Sequence, residues 1–168
     1  MSDYYGTEAD DQLDQAELGL DDWSTIYGES GDDTITVGNG GANGGPGNDR
    51  IIGTTVNSTA TYWSPGPITV DLRTGAVFDG YGFNDQLINV NIVHATSFDD
   101  ILIGNAEDNT FWGNGGNDQV DGGAGYDQVV FWERTYENSE VFYDSISNTF
   151  TISTVNSEGA FEISTLNM

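Results

Sequence analysis

Cysteine and lysine are absent from the sequence, and histidine occurs once, at His94. The absence of cysteine excludes disulfides, zinc–thiolate sites and thiol nucleophiles. A zinc site built from imidazole is excluded as well, because one histidine cannot supply several ligands. No stretch of the chain is apolar over the length of a membrane span. Residues 1–5 contain neither the basic region nor the apolar run of a secretory signal peptide.

Positive charge is also scarce. Three arginines stand against 28 acidic residues, and the formal net charge is −25. Nucleic acid and anionic membranes are therefore unsuitable partners, and the like charges oppose compaction. One interpretation of this composition is a disordered acidic chain. The other is a fold whose carboxylates are neutralised by cations, which the 12% aromatic content and the regularly spaced aliphatic residues favour.

Glycine is abundant, with 23 residues, and many of them recur within blocks of nine residues. Internal periodicity of this kind is typical of repeat architectures. Four blocks follow one another in register: ATSFDDILI (95–103), GNAEDNTFW (104–112), GNGGNDQVD (113–121) and GGAGYDQVV (122–130). Their sixth positions are Asp100, Asn109, Asp118 and Asp127. Their eighth positions are Leu102, Phe111, Val120 and Val129.

The same pattern occurs earlier in the chain with irregular spacing, which indicates insertions between the copies. These copies are GTEADDQL (6–13), GESGDDTIT (28–36), GGPGNDRII (44–52) and GYGFNDQLI (80–88). Their sixth positions are Asp11, Asp33, Asp49 and Asp85, and their eighth positions are Leu13, Ile35, Ile51 and Leu87.

The blocks resemble the repeats-in-toxin (RTX) nonapeptide of hemolysin-type calcium-binding proteins, G-G-x-G-x-D-x-U-x with U a large apolar residue. GGAGYDQVV and GGPGNDRII match every specified position, and the segment 68–102 resembles the strand-and-turn lead-in to such arrays. The resemblance implies an all-β parallel β-roll, a solenoid that binds several Ca²⁺ ions. It also implies a bacterial protein that is secreted or held at the cell surface. Its export would follow the type I route, which reads an uncleaved C-terminal signal.

Each block has six turn residues and three strand residues, and this spacing suits calcium. Glycine permits positive φ in the turn, and Ca²⁺ takes about 6–8 oxygen ligands from carboxylates and carbonyls. One turn cannot supply that number, whereas two stacked turns can. The predicted ligands at position six are Asp11, Asp33, Asp49, Asp85, Asp100, Asn109, Asp118 and Asp127. The predicted ligands elsewhere in the turns are Gly28, Ser30, Gly31, Gly44, Pro46, Gly47, Gly113, Gly115, Gly122 and Ala124.

Two blocks make one coil, so turns two blocks apart lie on the same edge. By that geometry Asp100 shares an ion with Asp118, and Asn109 shares one with Asp127. We expect the Asn109 ion to bind more weakly, because an amide replaces a charged ligand. Asp85 joins Asp100 if residues 89–94 act as a shortened half-coil. The spacing allows this pairing, and the family resemblance supports it.

The repeats divide the chain into four parts. The first, irregular array spans 4–52, a β insertion spans 53–79, the second array spans 80–131, and a C-terminal β-cap spans 132–168. Within these parts we expect one or two helical turns in 12–22, and a hairpin formed by TATYW and ITVDL against the roll. Two alternating strands around a Ser-Ile-Ser-Asn turn, and a third in AFEIS, would cover the end of the solenoid.

Catalytic motifs are missing from the sequence. It has no Gly-x-Ser-x-Gly elbow, no phosphate loop and no His-Glu-x-x-His. His94 lies in an alternating stretch, where a structural role is expected. Paired carboxylates of the kind that glycosidases use are plentiful, but the metal-binding turns account for them. We therefore expect no enzymatic activity.

Two functions fit this pattern. The first is a calcium-folded extracellular module for structure, adhesion or assembly. The second is an accessory module or subunit of a secreted hydrolase, such as a protease, a lipase or a polysaccharide-modifying enzyme. Trp112 and Val130 are predicted to lie side by side on one outer face, and Ile103 beside Asp121 on the other. Either the insertion or the cap covers them, or they form a docking surface for another protein subunit or a glycan.

Overall fold

Two β-sheets face each other, and the chain winds between them as a roll. The computed structural model describes residues 3–130, 139–144, 149–155 and 161–167. In chain order the strands are β1 Tyr4–Tyr5, β2 Gln12–Asp14, β3 Thr25–Tyr27, β4 Thr34–Val37, β5 Gly41–Asn43, β6 Arg50–Gly53, β7 Thr59–Thr61, β8 Thr69–Asp71, β9 Ala76–Phe78, β10 Asn84–Ile88, β11 Ile92–His94, β12 Ile101–Ile103, β13 Thr110–Trp112, β14 Gln119–Asp121, β15 Gln128–Val130, β16 Ser139–Asp144, β17 Thr149–Val155 and β18 Phe161–Asn167. The described part of the chain contains no helix, and therefore none that could cross a membrane.

The front sheet has the order β1-β3-β5-β7-β11-β13-β15, and the back sheet has the order β16-β17-β18-β14-β12-β8-β9-β10-β6-β4-β2. Successive front strands pair in parallel, with Tyr27 opposite Asn43 and His94 opposite Trp112. The seven front strands correspond to about seven turns of the roll. The all-β parallel roll predicted from the repeats is confirmed.

The core is a single column of side chains between the sheets. Each three-residue strand alternates, so its middle residue points inward and its neighbours point outward. The predicted inward residues are confirmed, because Leu13, Ile35, Ile51, Leu87, Leu102, Phe111 and Val120 are all buried and Val129 packs against them. Most strands bury a single apolar side chain, although β4 buries both Ile35 and Val37, and the core is thin for a chain of this charge.

One coil differs from the others because it carries three strands in the back sheet. After β7 the chain crosses to β8, returns antiparallel as β9, and continues as β10 beside β6. The predicted hairpin between TATYW and ITVDL is therefore wrong. The first of these segments contains β7, in the front sheet between β5 and β11, and the second contains β8 in the back sheet. Alternation shows that one face of a strand is buried, but it does not identify the strand's neighbour.

The segment 12–22 is not helical. It begins as β2 and continues in a tight turn, where the N–H of Leu18 donates to the carbonyl of Asp14 at 2.9 Å. The Oδ1 of Asp14 accepts from the N–H groups of Ala16 and Glu17, and this satisfies the turn locally. In place of the predicted one or two helical turns, the segment forms overlapping hydrogen-bonded turns over residues 14–20.

The C-terminal cap is an antiparallel meander, β16-β17-β18, that continues the back sheet. Strand β18 pairs in parallel with β14 and so covers the edge that the roll would otherwise expose. The three predicted cap strands are confirmed, while the predicted turn at 145–148 lies outside the described residues.

Candidate metal centre

The position-six side chains stack in ladders along the edges of the roll. In each ladder the backbone N–H of one turn donates to the Oδ1 of the carboxylate in the next turn. These bonds join Asp11 to Asp33 at 2.8 Å, Asp33 to Asp49 at 2.9 Å, Asp49 to Asp85 at 3.0 Å, Ile68 to Asp100 at 2.8 Å, Asp100 to Asp118 at 3.1 Å and Asn109 to Asp127 at 3.0 Å. The predicted neighbours Asp100 and Asp118, and Asn109 and Asp127, are therefore brought together.

The turns 28–33 and 44–49 leave one carboxylate oxygen available. The Oδ2 atoms of Asp33 and Asp49 are buried and accept no hydrogen bond. In both turns position two has positive φ, at Glu29 (76°) and Gly45 (95°). We call a turn with positive φ at position two an open turn. The turns 113–118 and 122–127 are open by this definition, with Asn114 at 58° and Gly123 at 88°.

Three other turns are closed, which means that position two donates its N–H back to the position-six side chain. These bonds are Thr7 N–H to Asp11 Oδ2 at 2.6 Å, Thr96 N–H to Asp100 Oδ2 at 2.9 Å and Asn105 N–H to Asn109 Oδ1 at 2.9 Å. A bound cation stabilises a buried oxygen that already accepts a hydrogen bond less than one that accepts none. In each of these three turns positions two and four are occupied by residues other than glycine.

The position-one glycines make room for converging oxygens. A Cβ on Gly28 would collide with Oδ2 of Asp33 and with the carbonyl oxygen of Gly44. A Cβ on Gly44 would collide with Oδ2 of Asp49, and a Cβ on Gly122 with Oδ2 of Asp127. Each of these glycines thus leaves space, which we call a cradle, for a carboxylate oxygen close to the backbone. The cradle at Gly28 also holds the carbonyl oxygen of Gly44 in the next turn. Carboxylate and carbonyl oxygens are the ligands that Ca²⁺ prefers.

The remaining predicted turn residues lie on the same edges. The carbonyl of Gly31 faces Gly47 so closely that a Cβ there would collide with it. The carbonyls of Pro46 and Gly113 accept N–H bonds from Gly31 at 3.2 Å and from Gly115 at 2.7 Å. Each of these oxygens retains a second lone pair. Ser30 lies half-buried at position three of its turn, and Ala124 lies exposed at the same position of another.

Burial disfavours the ionised form of the ladder carboxylates. Desolvation raises the pKa of Asp33, of Asp100 and of Asp127. It raises the pKa of Asp49 and of Asp85 to about 7, and neighbouring carboxylates add to the effect. A raised pKa means that burial disfavours the ionised carboxylate, and a bound cation would offset that cost. Within residues 3–130 no cluster of three or more His, Cys, Asp or Glu side chains is placed to hold a metal.

The predicted pairing of Asp85 with Asp100 is wrong. Within the predicted half-coil 89–94, residues 92–94 do form a strand, and Val93 is buried. However, Asp85 joins the ladder of Asp49, and the antiparallel strand β9 separates it from the coil of Asp100. The spacing could not show this, because the extra hairpin reverses the order of the strands in the back sheet.

Asp79 is a buried carboxylate that the repeat pattern missed. It is 1% exposed, its Oδ2 accepts no hydrogen bond, and its Oδ1 accepts from the N–H groups of Tyr81, Gly82 and Phe83. It lies directly after β9, and its negative charge contributes to the raised pKa of Asp49 and of Asp85. An aspartate directly before a Gly-x-Gly turn is a common turn signal, and this signal was present in the sequence.

Comparison with known families agrees with this geometry. The family model of the RTX calcium-binding nonapeptide repeat matches the chain in four copies, over residues 19–41, 42–59 and 94–129. No curated protein matches the chain. All four open turns lie within the matched residues, whereas the turns 6–11 and 80–85 lie outside them. Repeats of this type bind several Ca²⁺ ions per array.

Proposed function

We propose, on the basis of the RTX calcium-binding nonapeptide repeats that the chain contains, that it is an extracellular module for adhesion or assembly that is folded by calcium and catalyses no reaction. The observation that carries the proposal is the pair of buried Oδ2 atoms of Asp33 and Asp49, which accept no hydrogen bond. A buried ionised oxygen without a partner costs several kcal/mol. A divalent cation between the turns supplies the missing positive charge.

The open turns are the proposed principal sites. Asp33, Asp49, Asp118 and Asp127 would supply carboxylate oxygens, and the carbonyls of the glycine-rich turns would supply the rest. The closed turns of Asp11, Asp100 and Asn109 are proposed as weaker ligands, since an N–H already occupies one oxygen of each side chain. Asp85 is proposed to act with Asp49, its neighbour in the ladder.

Calcium would act as a switch between an unfolded and a folded chain. The core is one side chain wide and the net charge is −25, so the metal-free fold has little to offset its self-repulsion. Binding energy then becomes folding energy. Extracellular calcium modules have a Kd of roughly 10⁻⁴–10⁻³ M, well above cytosolic calcium, so the chain would stay unfolded before export and fold outside. RTX repeat proteins are typically secreted.

The proposed organisation keeps the two arrays, 4–52 and 80–131, around the segment 53–79, with 132–168 as the cap. His94 supports the proposal that catalysis is absent. Its ring packs against Trp112 with centroids 5.0 Å apart, and burial lowers its pKa. A histidine held in this way pairs with an aromatic ring rather than with a catalytic carboxylate.

The alternative function is an accessory module beside a secreted hydrolase. The predicted neighbours Trp112 and Val130 do lie opposite each other on the outer side of the front sheet, and both are half-buried. Ile103 lies opposite Asp121 on the back sheet, also as predicted. Trp112 and Val130 are the proposed contact for a partner subunit or a glycan under either function.

Circular dichroism and isothermal titration of the metal-free chain with Ca²⁺ test the proposal. In chelator we expect a largely disordered spectrum, and on adding Ca²⁺ a β spectrum with a midpoint of roughly 10⁻⁴–10⁻³ M. Asp118→Ala and Asp127→Ala should each weaken this folding, because each removes a charged ligand. A β spectrum and a melting temperature that do not change on chelation would contradict the proposal.

A further inference from the structure

A groove of about 420 Å³ crosses the outer side of the front sheet, and none of its lining residues is a predicted metal ligand. Its floor is the in-register row Thr25, Gly41, Thr59 and Ile92. Gly41 lowers the centre of this floor, because it has no side chain between the hydroxyl groups of Thr25 and Thr61. The groove extends from β3 to β13, which are five adjacent strands, so at about 4.8 Å per strand its length is roughly 20 Å.

Aromatic rings form the sides of the groove. Trp63 packs on Tyr27 with ring centroids 5.5 Å apart, and Tyr27 is stacked on Tyr5 at 4.8 Å. Trp23 stands at the other end of the floor strands. Trp23 and Trp63 are 67% and 66% exposed. Large aromatic side chains lose apolar burial when they are left in water, so two indoles this exposed on one groove need an explanation beyond folding.

The backbone at Trp23 is strained, which is a second and independent observation. Its φ is 91°, a conformation that a bulky residue adopts only at a cost of about 1–3 kcal/mol. The side chain held by this strain points into solvent and contributes nothing to the core. A residue that stabilised only the fold would be expected at this place to be glycine or asparagine. The strain therefore points to a role for the exposed indole.

The polar groups of the groove are fixed and uncharged. The amide of Asn39 is held by Asp22, which accepts its Nδ2–H at 3.2 Å, and by the hydroxyl of Thr55, which donates to its Oδ1 at 2.9 Å. Asn57 donates to the same Oδ1 at 3.4 Å. None of the residues lining the groove is Asp, Glu, Lys or Arg, although the chain has 28 acidic residues. The ligand that complements this lining is uncharged.

We propose that this groove binds an extended, neutral oligosaccharide, whose sugar rings stack on Trp23 and Trp63 while its hydroxyl groups bond to the threonine and asparagine side chains between them. A sugar ring has an apolar C–H face and a rim of hydroxyl groups, which matches aromatic walls around a floor of threonine and asparagine. Polyanionic glycans and nucleic acids are repelled by the net charge. The inference deepens the proposed adhesion function and depends on it only for the calcium-dependent fold.

Binding of neutral hexasaccharides to the full chain in about 5 mM Ca²⁺, above the calcium Kd expected for such modules, tests the inference. The probes are the hexamers of β-1,4-glucose, β-1,3-glucose, α-1,4-glucose and β-1,4-N-acetylglucosamine, with hexaguluronate as the charged comparator. Binding is measured by titration calorimetry and tryptophan fluorescence, and calcium-induced folding by circular dichroism. We expect at least one neutral hexamer to bind and hexaguluronate not to bind.

The variants are Trp23→Gly and Trp63→Ala, with Phe78→Ala as the matched control. Phe78 is an exposed aromatic residue on the outer side of the back sheet. Each tryptophan variant should weaken binding about tenfold or more, while Phe78→Ala leaves it unchanged. Trp23→Gly should also fold at an equal or lower calcium concentration, because glycine relieves the positive φ. A merely structural tryptophan would give the opposite effect on folding.

Several results would overturn the inference. These are the binding of no neutral hexamer, the binding of hexaguluronate in preference, or affinities that the two tryptophan variants leave unchanged. A concentration-dependent dimer that buries Trp23, seen by sedimentation and fluorescence, would assign the groove to a second copy of the chain instead. Failure of the wild-type chain to fold with Ca²⁺ would refute the proposed function, and circular dichroism identifies that outcome separately from loss of sugar binding.

Discussion

Replacing Asp49 by asparagine should change the stability of the metal-free and the calcium-bound chain in opposite directions. Asp49 is buried, its Oδ1 accepts the N–H of Asp33 at 2.9 Å, and its Oδ2 accepts nothing. Asparagine keeps the acceptor and removes the charge. Without calcium the substitution removes a desolvated charge, and with calcium it removes a charged ligand.

The expected magnitude follows from the pKa of Asp49, which desolvation raises from 3.8 to about 7. A raised carboxyl pKa means that the folded state binds the proton more tightly, so the metal-free fold loses stability as the pH rises from about 4 to about 7. One pKa unit corresponds to about 1.4 kcal/mol, which sets an upper limit of about 4 kcal/mol for the ionised carboxylate. The ladder neighbours Asp33 and Asp85 share this cost, and we expect Asp49→Asn to stabilise the metal-free fold by about 1–3 kcal/mol at pH 8.

The assay has two parts, both at pH 8. Folding of the metal-free chain is induced with trimethylamine N-oxide in chelator, since this osmolyte favours compact states, and calcium-induced folding is followed by circular dichroism. We expect Asp49→Asn to need less osmolyte and about tenfold or more calcium. Asp32→Asn is the matched control, because it removes the same charge from an exposed position in the neighbouring turn of the ladder. If Asp49→Asn needs more osmolyte than wild type, or the same calcium as Asp32→Asn, the reasoning is refuted.

Three further predictions concern the cradles, the amide position and pH. Gly44→Ala should raise the calcium concentration at the midpoint of folding about tenfold or more, because its Cβ collides with Oδ2 of Asp49. Gly38→Ala is the control, because a Cβ at Gly38 makes only ordinary van der Waals contacts. Equal midpoints for the two variants would contradict the claim that the position-one glycine makes room for the carboxylate. Asn109→Asp should lower the midpoint or leave it unchanged, and a clear rise in a calcium titration would show that the predicted register is wrong. Lowering the pH from 8 to 5 should raise the calcium needed for folding, because protons compete for Asp49 and Asp85, whose pKa values are about 7; a midpoint independent of pH would show that these carboxyls are not ligands.

The roll and its core were predictable because the repeat determines both. A period of nine with one large apolar residue at position eight places one side chain per strand inside, and Leu102, Phe111 and Val120 are buried accordingly. The stacking of Asp100 on Asp118 follows from the same period. Local spacing is sufficient wherever each coil repeats the one before it.

The irregular coil was not predictable from local spacing. β8, β9 and β10 have the alternation of any half-buried strand, and which of them joins β6 depends on the whole sheet. The same limit explains why the Asp85 pairing was wrong and why Asp79 was missed. The groove could not be predicted from the sequence for a related reason. The sequence separation of Trp23 and Trp63 does not indicate that both side chains line the same groove on the front sheet.

The buried carboxylates and the proposed sugar-binding groove lie on different parts of this fold, and this separation has a physical reason. The buried carboxylates lie on the turn edges, where stacked carbonyls are the proposed remaining ligands of calcium, while the groove on the front sheet is lined by uncharged residues. Under the proposed function, calcium bound at the edges would fold the sheet without occupying the groove. A neutral ligand adds no charge to this acidic chain, and its affinity in calcium should change little with ionic strength. A steep decrease in hexamer binding as sodium chloride is raised at constant, saturating calcium would contradict this separation, because it would mean that charged edge residues take part in recognition.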